Sequence, residues 1–126
     1  MLIQPVVRFR KYILAAYMLV VFLLLTLPLP AAATSGGSWI SILGHFALFF
    51  GLYAVAEFAH LFKTDTRLLL NCLALAVLLE ILQLALPYRF FDFFDMATNV
   101  LGVSLSFALI SLTKGHGIYS YIRSHP

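Results

Sequence analysis

The chain has 126 residues, 63% of them apolar and 10% charged, and its mean hydropathy is +1.01. A soluble domain carries roughly 45–50% apolar and about 25% charged residues, so this composition excludes an ordinary aqueous surface and makes lipid the expected solvent. The formal net charge of +3 rests on eight Lys and Arg, dispersed in a way that fits membrane orientation and not nucleic-acid binding, and the lone Cys72 excludes an internal disulfide and a multi-cysteine metal site.

A crossing of a ~30 Å hydrocarbon core takes about 20 helical residues, so the length allows four helices with short connections. The predicted fold is all-α, a polytopic antiparallel bundle of four transmembrane helices forming one membrane domain over residues 1–126. The first apolar run, Tyr12 to Leu27, follows Arg8, Arg10 and Lys11 and is closed by Pro28 and Pro30. With Ala31, Ala32 and Ala33 behind it, the same run also reads as a cleavable signal peptide; in both readings the second span begins outside. That span runs from Trp39 to Phe62, the third from Leu68 to Leu86 and the fourth from Met96 to Leu112. The connections are Pro28 to Ser38, with Gly36 and Gly37 as turn formers, then Lys63 to Arg67, then Pro87 to Asp95; their shortness predicts antiparallel neighbours. Arg8, Arg10, Lys11, Lys63, Arg67, Lys114 and Arg123 all fall on one side, which places both termini in the cytoplasm, and only Arg89 is left outside.

Ionisable residues inside a span cost a few kcal/mol and need a partner or a task. His45 lies six residues into the second span, about 9 Å deep, and Glu80 seven residues before Pro87, about 10 Å deep, so their depths match. Gln83 and Pro87 share a helical face with Glu80. On the fourth span Asn99, Gly102, Ser106 and Thr113 lie within about 40° of Asp95, giving one polar or small face. Between the third and fourth spans, phenylalanine pairs alternate with Asp92 and Asp95, a pattern expected at the outer membrane interface, with rings inserted and Arg89 available to phosphate or to Asp92.

The stretch LEILQLALPYRFFDFFDMATNVLG, Leu79 to Gly102, resembles the VanZ-like family of small bacterial membrane proteins. Glu80, Gln83, Pro87, Arg89, Asp92, Asp95, Asn99 and Gly102 stand at that family's spacing. His45-Phe46 with Phe49 is similar to its histidine-phenylalanine motif, and Thr26-Leu27-Pro28 to its usual end of the first span. Where the family often has an acidic-basic pair shortly before the histidine, this chain has Ser41 and Ile42. The resemblance implies a multi-pass protein of the bacterial cytoplasmic (inner) membrane, associated with the cell envelope and with glycopeptide resistance. It does not imply a reaction, because function belongs to sites and not to folds.

Three functions are expected of these residues. In the first, His45, Glu80, Gln83, Arg89, Asp92, Asp95 and Asn99 form one outward-facing pocket that engages an envelope lipid or lipid-linked precursor, with Arg89 holding phosphate and the carboxylates and amides bonding hydroxyls or an amine. In the second, the pocket is catalytic: His45 or Glu80 is the general base or acid and Asp92 or Asp95 its partner. No nucleophile elbow, HExxH or Walker loop accompanies them. In the third, the polar residues set helix register in a structural subunit of an envelope assembly, with Asp95 capping the fourth helix and Arg89 neutralised by Asp92 and Asp95. No cofactor, metal or nucleic-acid partner is expected, whereas self-association into a homo-oligomer is. Glu57-Phe-Ala-His60 has the Glu-x-x-His spacing of di-iron bundles in a single copy, so Glu57 is expected to snorkel beside Lys63. Cys72 is expected to pack and Asn71 to make a helix contact. The tail from Lys114 to Pro126, with His116, Tyr119, Tyr121 and His125, is expected to act as an interfacial tether.

Overall fold

The computed structural model describes residues 8–30 and 38–114. The Ala31–Ala33 segment, Gly36, Gly37 and the tail beyond Lys114, with Arg123 and its His and Tyr residues, lie outside the described residues. The described residues form four helices, α1 (Arg10–Thr26), α2 (Trp39–Phe58), α3 (Asp65–Gln83) and α4 (Phe93–Thr113), and no strand. The protein is therefore all-α. Two of the helices, α2 with 20 residues and α4 with 21, are long and apolar enough to cross a membrane.

The helix ends differ from the hydropathy boundaries, and local chemistry explains why. Leu27 is extended, at φ −73° and ψ 148°, because a residue before proline is pushed out of the helical region. Apolar sequence continues to Phe62, but α2 stops at Phe58. His60 takes a positive φ of 48°, a left-handed turn of the kind that ends helices and that hydropathy does not encode. Thr64 accepts from the Arg67 amide and starts α3 at Asp65. At the other end, Leu84, Ala85 and Leu86 donate to Ile81, Leu82 and Gln83 in tightened three-residue turns before Pro87. The expectation that Asp95 caps the fourth helix is corrected. Asp92 is the cap, its carboxylate accepting from the Phe94 amide at 2.7 Å, and Asp95 in the first turn aims its side chain elsewhere.

The strongest packing is between α2 and α4, which run parallel in constant register. Ser41 meets Asp95, His45 meets Asn99, and the Tyr53 and Phe107 rings meet edge-on at 5.8 Å. A glycine permits this approach: a Cβ on Gly102 would lie 2.6 Å from the Phe46 carbonyl oxygen and 2.9 Å from the Phe50 nitrogen. α3 runs antiparallel to both, joined at one end through Glu80 and Asn99 and at the other by Asp65, which pairs with Lys114. Glu57 faces Lys114 too, at 3.5 Å, so the cation supplied to it comes from the end of α4 and not from Lys63. α1 completes the bundle, burying Leu14, Val21 and Leu25. Its Tyr17 ring lies against Gly51 and donates its hydroxyl to the Leu48 carbonyl at 2.7 Å. Many large apolar side chains, among them Leu19, Phe22, Leu70, Leu78, Leu101 and Leu112, remain exposed. So apolar an exterior, with two helices able to cross a membrane, marks a membrane-associated protein.

Candidate functional site

Two facing helices each place a polar pair one turn apart. Ser41 and His45 stand on α2, Asp95 and Asn99 on α4, and spacing of i to i+4 puts each pair on one face. The parallel register brings the pairs into contact, and Glu80 approaches from α3. All five side chains are buried, with Glu80 at 1% and Asn99 at 0% exposure. Asn99 is the hub: its oxygen lies 2.8 Å from His45 Nδ1 and its amide nitrogen donates to Glu80 Oε2 at 3.4 Å. With the asparagine oxygen as acceptor, the imidazole proton sits on Nδ1. Glu80 Oε1 accepts from the Asp92 backbone at 3.2 Å, tying the third connection to the cluster.

On the other side of the ring, His45 Nε2 is 3.5 Å from Asp95 Oδ2, while Ser41 Oγ donates to Asp95 Oδ2 at 2.9 Å. An unprotonated Nε2 would set a lone pair against a carboxylate oxygen, so this contact becomes attractive when a proton sits on Nε2 or on Asp95. No group of three His, Cys, Asp or Glu side chains disposed to hold a metal occurs among the described residues.

The remaining expected site residues have other immediate contacts. Gln83 Nε2 donates to the Leu25 carbonyl at 3.0 Å. Arg89 Nη2 donates to the carbonyls of Leu24 at 2.8 Å and Leu27 at 2.9 Å, and Tyr88 donates to that of Thr26 at 2.7 Å. Pro28 has no N–H to continue α1, so these carbonyls are left open at the helix end, where a cation also meets the negative end of the helix dipole. Three side chains from one segment satisfy four consecutive carbonyls. Arg89 forms no ion pair with Asp92 or Asp95 among the described residues, which corrects the expectation that it and the two aspartates neutralise one another. Burial pushes the Arg89 pKa below the usual arginine value, and Tyr88, Asp95 and Glu80 act in the opposite direction.

A cleft of about 160 Å³ opens between the end of α1 and the start of α2, lined by Leu24, Leu25, Leu29, Ile40, Ser41, Gly44, His45, Leu48 and Arg89. Of the expected residues, then, His45, Glu80, Asp95 and Asn99 converge in one cluster, Asp92 touches it through its backbone, and Gln83 and Arg89 turn to α1, with Arg89 also walling the cleft. Ser41 joins the cluster although the sequence marks it only as a departure from the family pattern. Its position four residues before His45, matching Asp95 four before Asn99, was the available signal. Compared with known protein families, with curated proteins and with solved structures, the chain matches none.

Proposed function

We propose that this is a multi-pass inner-membrane protein, similar to the VanZ-like proteins, whose outward-facing polar site engages the headgroup of an envelope lipid or lipid-linked precursor. The observation that carries this reading is the buried His45–Asn99–Glu80–Asp95 cluster meeting a cleft walled by His45, Ser41 and Arg89. Polar groups at such depth in an apolar chain are costly, and in membrane proteins they mark the path or seat of a polar ligand. In this reading all four helices cross the bilayer. Trp39, Phe90, Phe93 and Phe94, each strongly exposed near the cleft end of the bundle, lie in the outer interface, where aromatic rings prefer to sit.

Purification from membranes in a mild detergent, followed by lipid extraction, tests the proposal. A phospholipid retained in fixed stoichiometry through delipidating washes is the expected result; folded protein that carries no lipid, or only lipid in bulk proportions, contradicts it. The 3.5 Å contact between His45 and Asp95, one hydrogen bond from cleft-lining Ser41, favours a second reading, in which the site transforms the headgroup by acid-base chemistry. Lipid profiles of cells carrying Glu80→Gln separate the two, since turnover predicts a product that disappears and simple binding predicts an unchanged profile.

A further inference from the structure

We propose that the cleft between α1 and α2 is an anion seat, built for a phosphate-type group and centred on Arg89. The inference deepens the headgroup reading above and rests on it for the source of the anion.

Arg89 is a buried cation, 8% exposed, and no carboxylate reaches ion-pair distance of its guanidinium among the described residues. Its two hydrogen bonds go to neutral carbonyls, both from Nη2. Its Nε, also buried, has no hydrogen-bond partner. A buried charge is normally paired and a buried N–H normally has an acceptor, so the side chain lacks one anionic oxygen. The nearby carboxylates do not supply it: Asp95 is engaged by Ser41 and His45, and Glu80 by Asn99 and the Asp92 amide.

The cleft matches what is lacking. Arg89, His45 and Ser41 give its wall three polar side chains, and the remainder is apolar. A cavity of about 160 Å³ leaves room for a phosphate and the carbons beside it. Gly44 keeps the entrance clear, since a Cβ built there meets nothing within 4 Å. Arg89 is therefore bifunctional, with Nη2 closing α1 and the rest of the guanidinium left for the ligand. An occupying anion also stiffens the end of α1, because it fixes the side chain that holds Leu24 and Leu27.

Gly44→Leu is the decisive variant, because it adds bulk to the cleft wall at a position where a Cβ meets nothing within 4 Å and replaces a helical glycine with a better helix former. The full chain in neutral detergent is titrated with dihexanoyl phosphatidic acid, dihexanoylglycerol or inorganic phosphate. Binding is read from the fluorescence of Trp39, the single tryptophan, and from thermal stability. The seat predicts saturable binding of phosphatidic acid with a rise in melting temperature, none by dihexanoylglycerol, and affinity reduced about tenfold or more in Gly44→Leu. Arg89→Lys, which keeps the charge and loses the Nε donor, is expected to weaken binding as well. Saturation by inorganic phosphate at equal affinity supports the seat and assigns it to a free anion, which removes the lipid reading alone. Equal binding by Gly44→Leu, or dihexanoylglycerol binding as well as phosphatidic acid, overturns the seat. If lipid is still retained on purification in that case, the broader headgroup reading survives.

Discussion

Adding one methyl group at Gly102 probes the seam on which the site depends. The Cβ of Gly102→Ala would fall 2.6 Å from the Phe46 oxygen and 2.9 Å from the Phe50 nitrogen. Both are backbone atoms of α2, so no side chain can rotate aside and the helices must separate. Overpacking of this kind costs about 1–3 kcal/mol. The separation is also felt one turn away at the 2.8 Å His45–Asn99 contact, where a weakened buried hydrogen bond adds about 1 kcal/mol. A total loss of about 2–4 kcal/mol follows from these two terms. The control is Gly44→Ala on α2, the other helix of the seam, where a Cβ meets open space and better helix propensity stabilises by up to about 1 kcal/mol. Thermal unfolding in detergent, followed by circular dichroism, should therefore lower the midpoint for Gly102→Ala and leave it equal or higher for Gly44→Ala. Equal midpoints for the two variants would refute the close parallel packing of α2 on α4.

Other perturbations have separate outcomes. Asn99→Leu strands His45 and Glu80 in an apolar interior and should cost about 2–5 kcal/mol, read as a large fall in the same midpoint; an unchanged midpoint would mean that Asn99 does not bridge them. Lys114→Met removes the cation shared by Glu57 and Asp65 and should destabilise, with partial recovery when Glu57→Gln is added, because the buried charge left behind is then removed; no recovery would show that charge pairing is not the interaction. For orientation, Phe90→Cys should react with a membrane-impermeant maleimide on intact cells and Lys63→Cys only after lysis, and the reverse pattern would invert the topology.

Much of the cluster was legible because helical spacing is a property of sequence. Glu80 and His45 share a depth, and Asp95, Asn99 and Gly102 share a face, so their convergence needed only antiparallel connections. What spacing could not reveal was which backbone groups would lack partners. Pro28 announced the end of α1, but nothing in the sequence said that Gln83, Tyr88 and Arg89 would turn to its last carbonyls. Ser41 was hidden for a different reason: serine is cheap in an apolar helix, and its role appears only once Asp95 stands opposite. Helix ends were the least legible. Hydropathy carried α2 to Phe62, whereas the left-handed turn at His60 stopped it at Phe58.

The central claim is that sparse polar side chains meet beside a cleft that accepts an anionic lipid headgroup. A crystal structure grown from a lipidic phase doped with phosphatidic acid tests it most directly. The account predicts phosphate density within hydrogen-bonding distance of Arg89, with His45 against Asn99 behind it. An empty cleft at saturating lipid, or His45 and Glu80 on separate lipid-facing surfaces, would contradict it.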